Sequence, residues 1–321
     1  MRAVVVDRYG PPEVARVAEL PDPQPGPGQV LVRVVAAAVS SGDARMRAGR
    51  FPAGFALPAR IAIGVRGPRR RVLGFALSGV VEAVGEGVDG LAPGEEVAGS
   101  TGGTGAHAEL VALPAAKVVP KPAGVPHEHA AAALFGGHTA LHFLHDVAGL
   151  RAGQRVLVIG AAGAVGSSAV QVARLAGAHV TGVASASNAD LLRRLGADAV
   201  LDRATVDYDA LEERFDVVLD AVGALSPARG RRLLADGGML ILVVASLWQT
   251  IVGQTVGARG PVRTGVAADR REHVERLLGL LERGELDPVL QEAMPMAEVA
   301  RAHAIVDSGH KVGNVVVLPG A

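Results

Sequence analysis

Cysteine is absent from this chain of 321 residues. That gap removes disulfides, thiolate zinc ligands and cysteine nucleophiles together. A surplus of either charge is missing too. The 32 Lys and Arg balance 32 Asp and Glu, so no global field draws the chain to nucleic acid or anionic membrane. Aromatic residues are 3% of the chain, too few for a base-stacking platform. No uninterrupted apolar run is long enough to span a bilayer. The start, MRAVVVDRYGPPEV, lacks a basic segment followed by an apolar one, so a cytoplasmic protein without a signal peptide is expected.

What is present divides by rhythm. The first 120 or so residues read as all-β: Arg2–Asp7, Val14–Leu20, Val30–Ala38, Ser78–Val84, Glu95–Gly99 and Ala106–Leu113 are short apolar or alternating runs. Turn signals such as Pro21-Asp22-Pro23 and Pro25-Gly26-Pro27-Gly28 separate them. Arg60–Arg71 reads as a basic, solvated loop. From about 124 the pattern alternates between strand and helix. Strands are expected at Arg155–Ile159, His179–Ala184, Ala199–Leu201, Phe215–Val222, Met239–Ala245 and Pro261–Val266. Helices are expected at Asp190–Leu195 and at Ser226–Ala235, the latter closed by Asp236-Gly237-Gly238. This is an α/β, doubly wound parallel sheet with right-handed crossovers. Val299–Val306 adds a helix, and Gly313–Leu318 a strand that returns to the first part.

The stretch RVLVIGAAGAVGSSAVQVARLAGA, Arg155–Ala178, carries the chemistry. A buried strand runs into a small-residue turn, Gly160–Gly166, and then into a helix with apolar residues at helical spacing. Such a turn presents free backbone N–H groups and a positive helix end to a pyrophosphate, and glycine lets the phosphates approach the backbone. An NAD site places an acid at the end of the second strand to hold the ribose 2′-hydroxyl. Here the chain reads Gly182-Val183-Ala184-Ser185-Ala186-Ser187-Asn188, with no acid. Ser185 and Asn188 can donate hydrogen bonds and Arg203 can supply charge, so NADPH is the expected cofactor.

Blocks in order along nearly the whole chain carry a family resemblance. They are AVVVDRYGPPEV, PGPGQVLVRVVAAAV, GVVEAVGEGVDGLAPGEEV, AAALFGGHTALHFL, the nucleotide-binding core AAGAVGSSAVQVARLAGAHVTGVASASNADLLRRLGADAVLD, FDVVLDAVG and ARAHAIVDSGHKVGNVVV. The chain resembles the zinc-independent medium-chain dehydrogenase/reductases, close to the NADPH-dependent quinone oxidoreductases. The resemblance implies a GroES-like β-rich catalytic domain over 1–123 and a Rossmann domain over 124–266. Residues 267–321 would form a helix and returning segment that completes the catalytic domain, with a cleft between the two domains. It also implies a small-molecule substrate, and a homodimer that could cover an exposed sheet edge. Zinc-using relatives hold their metal at positions matched by Ser40, Phe75 and Phe135, and a phenyl ring cannot ligate zinc. No metal site is therefore expected.

The departures from the family pattern are specific. An Asn-Pro pair and an Asp are matched by Ser40-Ser41-Gly42-Asp43, and Gly-x-Glu or Gly-x-Asp by Gly74-Phe75-Ala76. A cleft tyrosine is matched by Phe51, a basic phosphate-binding residue by Asn188, and a tyrosine after the third strand by Arg203. On this resemblance Gly163, Ala164 and Val165 contact the pyrophosphate, while Ser185, Asn188 and Arg203 surround the adenosine phosphate. Thr139, Val222, Val243, Val244 and Ala245 line the nicotinamide, and Asn314 lies near the cofactor.

Among the histidines, His138, His142 and His145 share a helix face, but nothing acidic is spaced to support a metal there. His138, next to Thr139, is the candidate proton donor. Its alternative is a packed histidine. His127 and His129 read as surface residues. The expected reaction is metal-free hydride delivery to a quinone or to the activated C=C of an α,β-unsaturated carbonyl, with Ser40, a backbone N–H or His138 meeting the developing oxyanion. Two alternatives stand beside it: a nucleotide-binding structural or sensor protein with little turnover, and a dedicated enoyl reductase of a biosynthetic pathway.

Overall fold

The run QVLVRVVAAA is β-branched or small almost throughout, and in the computed structural model it forms β3 (Gln29–Ala38), the hub of a seven-stranded sheet. The structure describes residues 1–246, 248–250 and 262–321. Three antiparallel partners use β3: β4 (Ala76–Val84), β6 (Leu110–Pro114) and β15 (Asn314–Leu318). The sheet extends through β5 (Glu96–Ser100) and β7 (Val118–Pro120) on one side and β14 (Leu290–Pro295) on the other. A separate hairpin pairs β1 (Arg2–Val6) with β2 (Ala15–Glu19). The core here is mostly Val, Ala and Leu, including Val32, Val34, Leu77, Val97 and Val317. Each fully buried Val or Leu contributes roughly 1.5–3 kcal/mol of transfer free energy. The final strand returns as expected, through the pairs Val316–Ala38 and Val317–Ala37.

The all-β expectation for the first 120 residues is corrected by two helices, α1 (Ser41–Ala48) and α2 (Ala56–Ile63). The basic stretch Arg60–Arg71 begins inside α2 and is a loop only beyond it. These elements, with α7 (Arg271–Glu282) and α8 (Val299–Asp307), belong to a first unit of Met1–Phe51, Ala56–Phe135 and Asp269–Ala321. The division falls inside α3 (His127–Ala140) rather than at 124.

The second unit comprises Pro52–Phe55 and Gly136–Ala268. Among its described residues six strands, all parallel, form one sheet: β8 (Arg155–Ile159), β9 (His179–Ala184), β10 (Ala199–Asp202), β11 (Phe215–Asp220), β12 (Leu234–Leu242) and β13 (Val262–Thr264). Their spatial order is β10-β9-β8-β11-β12-β13. Numbered within the unit this is 3-2-1-4-5-6, the doubly wound order whose direction reverses between β8 and β11. Beside the strands lie α4 (Ala164–Leu175), α5 (Ala189–Leu195) and α6 (Pro227–Arg232). Helix α6 stops short of the expected Ala235. Asp236-Gly237-Gly238 lies within β12, where the pairing with β11 shifts register after Phe215. Of the expected sixth strand, Pro261 lies outside the described residues. Leu157, Ile159, Val183, Val218 and Leu240 form this unit's core, which is why its strands read as continuous apolar runs.

Candidate active site

The C-terminal ends of the parallel strands gather the second unit's expected cofactor residues on one edge of the sheet. Gly160–Val165 follow β8, Ser185 and Asn188 follow β9, Arg203 follows β10, Val222 follows β11, and Val243–Ala245 follow β12. At the first turn three glycines do different work. Gly160 has φ +78°, in the left-handed region, and a Cβ there would come within 2.5 Å of Val222 Cγ1. A Cβ on Gly166 would overlap the Gly160 carbonyl oxygen and lie 2.6 Å from Ala161 Cα, so glycine sets how closely α4 approaches the turn. Gly163 has ordinary extended dihedrals, and a Cβ there would touch nothing closer than the Gly160 oxygen at 3.5 Å. Packing within the protein therefore does not require a glycine at 163.

Helix α4 begins at Gly163 with no side-chain cap, and its first internal bond is Ser167 N–H to the Gly163 oxygen, 2.8 Å. The N–H groups of Ala164, Val165 and Gly166 therefore have no helical acceptor. This donor set suits an anion. At the end of β9, Ala184 and Ser185 present no carboxylate, and the Arg203 N–H binds the Ala184 oxygen at 2.8 Å, which holds the ends of β9 and β10 together. The Arg203 side chain is exposed and makes no ion pair among the described residues. These features fit the phosphates of a dinucleotide.

Sequence reasoning missed Asp220, the last residue of β11. It is fully buried, and its carboxylate accepts from the N–H groups of Val222 (3.0 Å), Gly223 (2.8 Å) and Leu225 (2.7 Å). Val222, held by this loop, stands 57% exposed. Thr139 and His138 are buried in or beside α3's last turn, with His138 only 2% exposed. Beyond Ala140 the helix widens to a π-type segment, Leu141–Val147, so His142 and His145 leave the regular α spacing expected from His138. An acid does support them, contrary to expectation: Asp146 Oδ2 lies 3.8 Å from His142 Nδ1, and its Oδ1 lies 3.0 Å from His145 Nδ1. Among the described residues no group of three or more His, Cys, Asp or Glu is placed to hold a metal ion.

The first unit has a corner of its own. Ser40 caps α1 in a reciprocal box: its Oγ accepts from Asp43 N–H at 3.2 Å, while Asp43 accepts from Ser40 N–H at 2.8 Å and from the Ser40 hydroxyl at 2.6 Å. The other Asp43 oxygen accepts from Gly74 N–H at 2.9 Å. The one hydroxyl hydrogen of Ser40 is thus committed to a carboxylate. Phe75 and Phe135 meet edge to face, centroids 6.1 Å apart, and a Cβ on Gly42 would lie 3.3 Å from Ser40 Oγ and 3.6 Å from the Phe135 ring. The three positions are brought together, but with one engaged hydroxyl and two hydrocarbon rings. Zinc does not fit this donor set.

Behind this corner, His107 Nε2–H donates to the Ala38 oxygen at 2.9 Å and the ring faces His303 edge-on at 6.3 Å. Burial, with His107 and the Arg47 guanidinium nearby, pushes the His303 imidazole down to about 3. Asn314 is buried and its amide donates to the Pro288 oxygen at 2.6 Å. His127 is not a plain surface residue. Its Nδ1 lies 2.8 Å from Ser78 Oγ and its Nε2 3.3 Å from Glu96, and burial lowers its pKa.

Comparison with known proteins agrees with this architecture. A family model described as an alcohol dehydrogenase GroES-like domain matches residues 26–123, and one described as a zinc-binding dehydrogenase matches 195–317. The chain is 33% identical to the quinone oxidoreductase of Pseudomonas aeruginosa, over 97% of this chain and 97% of that one. It belongs to the medium-chain dehydrogenase/reductase family. Another member, the chloroplastic NADPH-dependent alkenal/one oxidoreductase of Arabidopsis thaliana, is 28% identical, covering 99% of this chain and 80% of that one. The solved quinone oxidoreductase of Coxiella burnetii matches with a TM-score of 0.87 at 25% identity, covering 99% of each chain. Within this family the Ser40, Phe75 and Phe135 corner is the local feature at odds with a zinc-binding description. No helix among the described residues is long and apolar enough to cross a membrane.

Proposed function

We propose that this family member is an NADPH-dependent, zinc-independent reductase of quinones or of the activated C=C bond of α,β-unsaturated carbonyl compounds. The observation that carries the cofactor is the β9–β10 edge, where Ser185 to Asn188 after β9 include no acid and Arg203, whose exposed side chain makes no ion pair among the described residues, is bound through its N–H to the end of β9. A 2′-phosphate is attracted there, β9 itself ends without an acid for a 2′-hydroxyl, and the Asp202 carboxylate at the end of β10 accepts from Ala204 N–H at 3.1 Å. The uncapped N–H groups at Ala164 and Val165, with the open space at Gly163, hold the pyrophosphate. Ser185 and Asn188 add donors around the adenosine phosphate. Thr139, Val222, Val243, Val244 and Ala245 wall the nicotinamide, and Asn314 stands near the cofactor. Bound NADPH supplies the hydride.

The names of the Pseudomonas and Arabidopsis relatives support quinone and enone acceptors respectively. Charge developing on the acceptor oxygen has to be met by hydrogen-bond donors, because the corner at Ser40, Phe75 and Phe135 does not suit zinc. The Ser40 hydroxyl is engaged by Asp43, so His138 is the proton donor of this reading.

The test is steady-state NADPH consumption with a panel of quinones and enones, run beside NADH. Wild type should prefer NADPH, and Arg203→Ala should shrink that preference about tenfold, the scale of one lost charge-assisted hydrogen bond. An unchanged preference would sink the phosphate assignment. Tight NADPH binding with no turnover on any acceptor would favour the binding-protein alternative.

A further inference from the structure

A fully buried carboxylate with no basic partner is unusual, because desolvating it needs compensation from hydrogen bonds. Asp220 obtains that compensation from main chain alone. Oδ1 takes the N–H groups of Val222 and Gly223, and Oδ2 takes that of Leu225. It makes no ion pair among the described residues. Its own carbonyl accepts from Val243 N–H at 3.0 Å, and the next residue, Ala221, donates to the Ile159 oxygen at 3.1 Å. In register Asp220 pairs with Ile159 on β8 and with Leu242 on β12. One side chain thus gathers the loop leaving β11 at the point where the strand order reverses. Dinucleotides bind at such points.

The loop has a product. Val222 is turned outward, and its Cγ1 occupies the space that a side chain on Gly160 would need. The positive-φ turn after β8 and the loop after β11 therefore form one surface, with Val222 as its apolar part. We propose that Asp220 is a positioning residue for the nicotinamide half of the cofactor, acting by holding Val222 and Gly223 in this arrangement. The inference rests on the NADPH reading above. Three charge-assisted bonds from one rigid strand end leave the loop little freedom, so the nicotinamide side of the site is ordered before any ligand arrives. The adenosine side, at Ser185, Asn188 and Arg203, is built without Asp220.

The substitution Asp220→Asn separates these halves. An asparagine oxygen can still serve Val222 and Gly223, but its NH2 then meets the Leu225 N–H, donor against donor. Calorimetric titration of the intact protein with NADPH, and separately with adenosine 2′,5′-bisphosphate, reads the two halves. The expected result is NADPH affinity reduced about tenfold or more, with bisphosphate affinity unchanged. Val222→Ala, which keeps all three Asp220 bonds, should weaken NADPH less and also leave the bisphosphate unchanged.

Equal losses for both ligands in Asp220→Asn would overturn the proposal, since Asp220 would then only support the fold. Unchanged NADPH affinity in either variant would overturn it as well. If wild type binds neither ligand, the NADPH reading falls and takes this inference with it. That outcome is distinguishable, because it appears before any variant is made.

Discussion

The edge of the parallel sheet and the Ser40 corner are built by opposite means. At the edge, Gly160, Gly163 and Gly166 withhold side chains, and the chemistry comes from main-chain N–H groups at the start of α4. At the corner, side chains do the construction: Asp43 ties Ser40 to Gly74, Phe75 meets Phe135, and His107 holds the Ala38 carbonyl. A site made from main chain tolerates sequence change as long as small residues stay small. A site made from side chains can exchange its chemistry by single substitutions, and here two phenyl rings stand beside Ser40 at positions that the family resemblance matches to zinc ligands. Family membership therefore constrains the cofactor edge more than it constrains the corner.

The largest expected effect tests the corner. Asp43→Ala strands three buried donors at once, the Ser40 N–H, the Ser40 hydroxyl and the Gly74 N–H. Buried groups left without partners cost about 1–3 kcal/mol each, so a loss of about 4 kcal/mol is expected in urea denaturation. A loss below about 1 kcal/mol, within the range of an ordinary surface substitution, would show that the corner is not held by side chains.

Next comes the edge. Gly166→Ala places a methyl group against the Gly160 carbonyl and 2.6 Å from Ala161 Cα, and neither is a flexible side chain. Overpacking of this kind costs about 3 kcal/mol. The same denaturation experiment reads it, and a stable Gly166→Ala protein would mean that α4 can shift away from β8 at little cost.

The contrast also explains what could be read in advance. The β8–α4 unit was legible because each of its signals is local: a continuous apolar strand, small residues in the turn, then apolar spacing at helical period. Alternation of strand and helix then implied the parallel sheet that the strand pairing shows. Helix α1 was missed although Ser40-x-x-Asp43 spells a capping box, because Gly42 and the Arg-rich run after it carry little apolar periodicity. Helix α2 buries no residue and contains Pro58, so it has no amphipathic stripe to find. Asp236-Gly237 reads as a turn, and Gly237 does keep a φ of +76°; β12 carries it as an irregularity, pairing with β11 at Leu234 and again from Met239. Asp220 was hidden for another reason. An acid at a strand end gives no sign that it will turn back onto three N–H groups of its own loop.

The third effect belongs to the layer behind the corner and depends on pH. Burial keeps His303 neutral in the folded protein down to about pH 3, with His107 and Arg47 opposing protonation further. In the unfolded chain the imidazole has its ordinary value of 6.5, so between those values the unfolded state binds the extra proton. Stability contributed by the neutral imidazole is present above pH 6.5 and falls as the pH drops towards 3. Between pH 7 and pH 5 the expected loss is about 2 kcal/mol. His303→Leu should flatten that part of the profile relative to wild type, as measured by urea denaturation across the pH range. Parallel profiles for the two proteins would remove His303 from the acid response.

The smallest effect is the sharpest comparison, because it sets two glycines of one turn against each other. Gly163 has extended dihedrals that alanine adopts freely, and its added Cβ would meet only the Gly160 oxygen at an ordinary 3.5 Å. Gly163→Ala should therefore leave stability within about 0.5 kcal/mol of wild type. The same methyl group would stand in front of the unsatisfied N–H groups of Ala164 and Val165, where the pyrophosphate is proposed to approach. NADPH affinity should fall about tenfold, or about 1.4 kcal/mol, by calorimetry. Folding would then constrain Gly166, and ligand access Gly163. If Gly163→Ala instead unfolds the protein while binding per folded molecule is unchanged, both glycines answer to packing, and the edge loses its claim to the phosphate.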